Sequence, residues 1–418
     1  MRSKFVALLM GCVLTVSLLT GCGNGEADET STPDAGESAE NTGTGADGDE
    51  SGDGAASAAS DLKIAIVCDE SGQNDNGYNQ SAVEGAKECA DTMGAEYKVV
   101  EPTESIGNTL SILAEDGFNL IFSMAYDFDA LVNGEAGAAP IAEQYPDTVF
   151  VVFNATPNVD EAGAAIHNNV ISVLYNVNES SYLAGALSVL VNENADVLLG
   201  DGYDLTSPEE ARALGFIGAT DSDGITVFGV GFVEGAQHVA EELGVTYDYY
   251  SKYDAGFADT AGGSNVAGTY YGNGANVVYT VAGSVGDGVA SKAKEVKKLA
   301  VHVDANKDAQ QPGYILTSVT KNTKVVVKTL AEAYAGGTIM DMDKIQVYDL
   351  ASGATSVTDL ATFSAALETT DEAKAKWDEI LAYVADLEAK IGDGTIKVTN
   401  KQNGDSFDEA SCPNINFK

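Results

Sequence analysis

The chain has 418 residues, enough for one large or two medium domains, and its 44% hydrophobic content supplies a full core. Its formal charge is −42, from 64 acidic against 22 basic residues, a balance that repels polyanions and anionic membrane surfaces at long range. Nucleic acid is therefore excluded as a partner.

Arg2 and Lys4 precede the apolar run FVALLMGCVLTVSLL, and LTGC closes at Cys22. A positive start and a short apolar run read as a secretory signal over residues 1–21, too short and wrongly flanked for a membrane span. LTGC resembles the lipobox of bacterial lipoproteins, which implies cleavage before Cys22 and lipid attachment to its sulfur. The alternative is an ordinary signal with an incidental cysteine. Residues 23–60 hold ten carboxylates, no Lys or Arg, and no Val, Ile, Leu or aromatic residue. Apolar burial cannot offset the ordering entropy of such a segment, so a disordered, extended tether is expected from the lipidated Cys22 to residue 60. With +2 in the signal and −10 in the tether, −34 remains on residues 61–418.

From residue 61 apolar strands alternate with helices. LKIAIV, AEYKVVEP, FNLIFSM and TVFVVFNA read as strands; NQSAVEGAKECADTMG, IGNTLSILAEDG and AAPIAEQYP read as the helices between them. A second series of the same rhythm runs from ESSYLAGALSVLVNE to the strand LAVHVDA at 299–305. Such alternation predicts parallel sheets covered on both faces by right-handed crossovers, here two lobes with a cleft between them. Ligands on such sheets sit beyond the carboxyl ends of the strands. Residues 192–213 are polar and read as a surface insertion. A helix in DEAKAKWDEILAYVADLEAKIGDG carries an apolar stripe of Trp377, Ile380, Leu381, Val384 and Leu387 that should pack back on the body. After Cys22 only Cys68, Cys89 and Cys412 remain, in no metal-binding spacing. Cys68 and Cys89 read as buried small hydrophobes, a disulfide between them being the alternative. His167, His238 and His302 are scattered, which argues against a zinc site or a histidine-based triad.

The loop DESGQNDNGYNQSAVEGAKE (69–88) offers carboxylates, amides and one aromatic ring after the first strand, with no basic residue before Lys87. It resembles the signature loop of the basic membrane protein family, the purine nucleoside receptor A type of substrate-binding lipoprotein. The family pattern is close to D-x-G-x-x-D-D-x-S-F-N-Q-x-x-x-x-G. Asp69, Asp75, Asn79, Gln80 and Gly85 match it, whereas Tyr78 replaces Phe, Gly77 replaces Ser and Asn74 replaces the first of two Asp. Colinear matches follow in NVISVLYNVNESSYLAGAL, GFIGATDSDGITVFGVGFVEGA, VVYTVAGSVGDGV, HVDANKD and PGYILTSVTK, so the resemblance spans about residues 62–349. It implies an α/β, type I periplasmic-binding-protein fold: two doubly wound parallel-sheet lobes joined by a hinge, with the ligand cleft between them. It also implies a nucleoside-like ligand and an ABC transporter permease as partner. The insertion at 192–213 and the C-terminal region depart from the pattern.

The expected lobes are 61–174 with 318–342, and 175–317 with 343–350, followed by an extension over 351–418. Chain crossings are expected near 170–178, 314–320 and 340–347. Tyr78 can stack on a nucleobase. Asp75 and Asn79 can meet a purine edge, or instead cap the following helix. Asp304 can accept from ribose hydroxyls, and Lys321 can donate to the ligand or pair with Asp304. Gly283 lets backbone approach the ligand. Tyr126, Asp127 and Phe228 are weaker contributors, Asp221 weaker still, and Asp69 reads as a structural loop residue. The reading is thus a monomeric, lipid-anchored, extracytoplasmic binding protein that captures nucleosides by hinge closure and needs no cofactor. The competing readings are riboflavin, sugar or signalling-ligand binding on the same scaffold, a sensor component, and a secreted nucleoside-cleaving enzyme.

Overall fold

The computed structural model describes residues 61–418; the expected signal peptide, the expected lipidation site at Cys22 and the expected tether lie outside the described residues. Strands are numbered in chain order, and among helices only those of ten residues or more are labelled. The first series runs β1 (Lys63–Val67), α1 (Tyr78–Met93), β2 (Glu96–Val100), α2 (Ile106–Glu115), β3 (Leu120–Ser123), β4 (Val149–Phe153) and β5 (Val170–Tyr175). The second runs α3 (Val177–Glu193), β6 (Ala213–Gly218), α4 (Asp223–Leu243), β7 (Tyr247–Lys252), α5 (Thr260–Gly272), β8 (Ala275–Val281), α6 (Val285–Glu295), β9 (Leu299–Asp304) and β10 (Ile315–Lys321). Then come α7 (Thr323–Ala335), β11 (Ile345–Tyr348), β12 (Thr355–Val357), α8 (Asp371–Gly392) and β13 (Ile415–Phe417).

Two sheets result. The first has the order β11-β5-β4-β3-β1-β2 and is parallel throughout. The second has the order β12-β10-β9-β8-β6-β7-β13, parallel except where β12 pairs with β10. Every residue of β3, β4, β5, β6 and β8 is buried, because helices cover both faces. This is the doubly wound α/β architecture that the alternation of elements predicts.

The chain passes between the sheets at residue 176, at residue 322 and over 349–354. Two boundaries therefore differ from the sequence reading. Residues 318–321 belong to the second sheet, since β10, after a register shift between Ile315 and Thr317, pairs with β9 up to Thr320 opposite Asp304. Ile345–Tyr348, expected in the second lobe with 343–350, instead pairs with β5 at the edge of the first sheet. A four-residue strand carries too little pattern to say which sheet edge will receive it.

Within the second lobe α3 and α4 cross at backbone contact. A Cβ on Gly185, Gly231 or Gly235 would lie 1.9, 2.2 and 1.9 Å from the carbonyl oxygens of Phe232, Asn178 and Tyr182. The extension after 351 folds onto this lobe: β12 joins β10, β13 joins β7, and α8 buries Trp377, Ile380, Val384, Leu387 and Ile391. Trp377 Nε1 donates to Ser364 Oγ at 2.8 Å, so the indole is satisfied as well as packed. The segment expected as a surface insertion is anchored more firmly than its polarity suggests. Leu198 is fully buried, the Thr206 backbone is read by Asn276, and Arg212 pairs with Glu193 at 2.8 Å. Cys68, Cys89 and Cys412 are buried free thiols.

Candidate functional site

The loop between β1 and α1 is built around Asp75. Its Oδ1 accepts from the amides of Gly77 and Gln80 at 2.9 and 3.0 Å, and its Oδ2 from the amide and Nδ2 of Asn79 at 2.9 and 3.1 Å. Four donors on one carboxylate satisfy the first turn of α1, which is helix capping in the full sense. Asn79 is wholly buried. Its Nδ2 also donates to Asp69 at 2.7 Å and its Oδ1 accepts from the Asp69 amide at 3.1 Å. Asn79 thus ties the two ends of the loop together and presents nothing to solvent.

Seven of the nine residues singled out from sequence line one cavity between the lobes. Asp75, Tyr78 and Tyr126 come from the first lobe, and Phe228, Gly283, Asp304 and Lys321 from the second. The two exceptions are Asn79, beneath the loop, and Asp127, which is exposed with φ 119° and does not line the cavity. Asp69, Ser71, Asn154, Ile225 and Phe257 also line it. Asn154 follows the all-apolar β4, and Phe257 lies in the loop YDAGFAD after β7. The rule that ligands meet the loops after parallel strands covers both, yet neither stood out in the sequence.

Tyr78 is 7% exposed and packs edge-on against Phe153, with ring centroids 6.1 Å apart. Asn154 donates from Nδ2 to the hydroxyls of Tyr78 and Tyr126 at 3.0 and 2.9 Å, while its buried Oδ1 has no partner. The more open ring of the cleft is Tyr126, 53% exposed, with the partly buried Phe257 on the second lobe lining the same cavity.

Two opposite charges sit side by side at the ends of neighbouring strands. Lys321 is 6% exposed, and its ammonium stands 5.4–5.5 Å from the ring centroids of Tyr78, Tyr175 and Phe228 without a carboxylate partner or hydrogen-bond acceptor among the described residues. Burial pulls its pKa down to about 8, although Asp304 and Asp69 pull the other way. Asp304 accepts no hydrogen bond from a described residue. Burial pushes its carboxyl above the usual carboxylate range against the pull of Lys321 and Lys307. Its φ is +75° and the Ala305 amide donates to the Val303 carbonyl at 3.0 Å, which makes Asp304 the centre of a strained, positive-φ γ-turn. Asn76 (φ 52°), Asp127 (φ 119°) and Asn154 (φ 63°) are further left-handed non-glycine residues in loops bordering the cleft. Strain of this kind, about 1–3 kcal/mol per residue, concentrates where a ligand is met.

The lobes touch across this cavity. Lys307 Nζ reaches the Asp75 carbonyl at 3.5 Å, and a Cβ on Gly77 would stand 3.3 Å from that of Asp304. The inter-lobe space is only about 60 Å³, although Asp69, Tyr126 and Phe257 also border a wider depression of about 480 Å³ at its mouth. Small-molecule pockets span about 300–1,000 Å³, so the space between the lobes as they stand is smaller than such a ligand requires.

Two parallel-sheet lobes, three crossings and a charged, ring-lined cavity between them define a bilobal solute-binding protein. The family model described as ABC transporter substrate-binding protein, PnrA-like, matches residues 62–401, and the chain belongs to that family. It is 28% identical to the ABC transporter nucleoside-binding protein BmpA of Lactococcus lactis, over 91% of this chain and 97% of that one. It is 24% identical to an uncharacterised lipoprotein of Pyrococcus furiosus, over 83% and 88%. Among solved structures, an ABC transporter solute-binding protein from Aeropyrum pernix superposes with a TM-score of 0.66 at 21% identity, covering 81% of this chain and 93% of that one; this likeness shows the periplasmic-binding-protein fold. A small-molecule ligand and a transporter partner follow from the family.

Proposed function

We propose that the protein captures nucleosides, purine nucleosides foremost, between its lobes and delivers them unaltered to a membrane transporter. The observation that carries this reading is the convergence of Asp304 and Lys321, neither one partnered, with ring surfaces from both lobes in a single cavity. A carboxylate can accept from vicinal ribose hydroxyls and an ammonium can donate to a ring nitrogen or carbonyl. The Tyr126 and Phe257 rings supply stacking surface, worth about 1–3 kcal/mol per base. The name of the Lactococcus relative supports the same ligand class. Asp75 and Asn79 serve by fixing the loop, and the loop in turn carries Tyr78. The LTGC sequence, together with the lipoprotein relative, supports anchoring through Cys22 on the extracytoplasmic side.

The test is mass spectrometry of small molecules co-purifying with the protein, followed by calorimetry with inosine, adenosine, guanosine, uridine, riboflavin, ribose and glucose. Saturable purine-nucleoside binding with the nucleoside recovered intact is the expected outcome. Binding confined to sugars or riboflavin overturns the ligand assignment, and release of free base from inosine overturns the binding-only role.

A further inference from the structure

Away from the three crossings, one hydrogen bond joins the lobes among the described residues. Lys307, in the loop after β9, donates from Nζ to the carbonyl oxygen of Asp75, in the first-lobe loop between β1 and α1, at 3.5 Å. No ion pair spans the cleft among the described residues. Lys307 is 4% exposed, and its ammonium has no second acceptor among those residues. An ammonium carries three donors and is costly to bury, so packing alone gives no reason to place one here. Lys307 lines neither the inter-lobe cavity nor the depression at its mouth, so it acts on a ligand only through what it holds.

Both ends of the bond are fixed by further bonds. The Lys307 amide donates to Ser318 Oγ on β10 at 3.0 Å. Ser318 Oγ and Thr358 Oγ1 donate in turn to the two oxygens of Asp308 at 2.7 and 2.6 Å. Asp308 is wholly buried, so this network braces the lysine's loop against β10 and the extension. Across the cleft the Asp75 carboxylate is held by its four donors, and its loop carries Tyr78. Gly77 lets the two loops come this close, since a Cβ there would stand 3.3 Å from that of Asp304 and 3.6 Å from Lys307 Nζ.

Charge gives the contact its sign. Bringing the lobes together sets Asp69 and Asp75 of the first against Asp304 of the second, and both push the Asp304 carboxyl toward its neutral form. Lys321 and Lys307 oppose them, and both cations come from the second lobe. Lys307 alone of the two also bonds across the cleft. Without it, three carboxylates would face one another with half the counter-charge.

We propose that Lys307 is a positioning residue that sets how long the closed lobes hold a ligand: its ammonium fastens the Tyr78-bearing loop of the first lobe over the Asp304 turn of the second. The inference rests on the hinge closure proposed above and not on which ligand fills the cleft. The bond exists only when the lobes are together, so its effect falls on release rather than on association.

The test compares the full chain, in detergent, with Lys307→Met, which keeps the stem of the side chain but loses donor and charge, and with Lys307→Arg, which restores both. Lys307 has no ion-pair partner among the described residues, so the thermal midpoint of Lys307→Met should stay close to the parent's. Spin labels at Lys87→Cys on α1 and Ser291→Cys on α6, both exposed positions, read the separation of the lobes. Cys68, Cys89 and Cys412 are buried, and Cys12→Ser with Cys22→Ser removes the remaining thiols. With no ligand added, Lys307→Met should show a smaller short-distance population than the parent. With inosine as the probe, stopped-flow mixing should show release about tenfold faster, the loss of one charge-assisted hydrogen bond, and association within about twofold of the parent. Lys307→Arg should restore both readings. Unchanged label distances and release in Lys307→Met, or a longer-lived closed form, overturn the proposal, and so does an Arg variant that behaves like the Met variant. Failure of inosine to bind the parent bears on the ligand assignment alone, because the ligand-free label distances still decide the role of Lys307.

Discussion

Replacing Lys321 with Met tests whether the cleft holds an uncompensated charge. A shift of the Lys321 pKa from 10.5 to about 8 corresponds to roughly 3 kcal/mol of unfavourable ionisation in the folded state. The rings of Tyr78, Tyr175 and Phe228 return part of this, up to about 2 kcal/mol for a desolvated cation beside aromatic faces. A thioether of similar length packs well in the same aromatic pocket. Lys321→Met should therefore stabilise the protein by about 1–3 kcal/mol at pH 7 while weakening nucleoside binding by at least about tenfold, the usual exchange of stability against function. The pH dependence has a definite sign. Between about pH 8 and 10.5 the unfolded chain keeps the Lys321 proton that the folded protein has lost, so the native protein gains stability with rising pH, by up to about 1.4 kcal/mol per unit. The variant lacks this gain, and its advantage should shrink above pH 8. Urea denaturation of both proteins from pH 6 to 9.5, with parallel calorimetry, reads all three quantities. A variant less stable than the parent at pH 7, or a stability difference that does not narrow above pH 8, refutes the argument.

Asp304→Asn keeps the shape of the γ-turn residue and removes the charge; the loss of a charge-assisted hydrogen bond, about 1.5–3 kcal/mol, predicts nucleoside affinity lower by one to two orders of magnitude, read by calorimetry. Gly235→Ala sets a helix-propensity gain of about 1 kcal/mol against a Cβ only 1.9 Å from the Tyr182 carbonyl. The clash should win, with a net loss of about 1–3 kcal/mol in urea titration, and an unchanged midpoint would contradict the close helix crossing. The inter-lobe space of about 60 Å³ predicts that the ligand-free protein samples a more open form. Small-angle scattering should show the radius of gyration falling when nucleoside is added, and no change on saturation would argue against hinge closure.

The alternation of fully apolar strands with amphipathic helices made the two-sheet architecture legible, because burial on both faces leaves an unmistakable run such as VFVVF in β4. Most of the cleft was legible from the same parallel-sheet logic, since Asp304, Lys321 and Tyr126 each end or follow a largely buried strand. What the sequence could not distinguish is a polar residue that faces the ligand from one that faces its own loop. Asn79 and Asp75 lie four apart in a polar segment, and only the geometry shows the amide turned inward onto two carboxylates. Nor could it show that the Tyr78 ring is nearly buried, with its hydroxyl tied to Asn154 and the ammonium of Lys321 beside it. Edge strands escaped for a different reason. β11 and β12 have four and three residues, and pairing of such short pieces is decided by where the crossings leave them rather than by their own pattern.

The extension also bears on the proposed hinge closure. It adds β12 and β13 to the second sheet and lays α8 against that lobe, so all its sheet pairing falls on one side of the cleft. It further grips the first crossing, where Asn400 donates to the Asn176 side chain at 3.0 Å and Asn178 donates to the Val398 carbonyl at 3.0 Å. Glu179 bridges the same crossing to the third by accepting from Asn176 Nδ2 at 2.9 Å and from the Leu350 amide at 3.1 Å. The second lobe, its extension and the bases of two crossings are thus tied together, so the proposed hinge closure would turn them as one body against the first lobe. Cutting the Asn400–Asn176 tie with Asn400→Ala should loosen the hinge at little cost to either lobe. The expected result is faster nucleoside release in stopped-flow fluorescence with a thermal midpoint close to the parent's. A large drop in midpoint with unchanged release would show instead that this contact holds the fold and leaves the hinge alone.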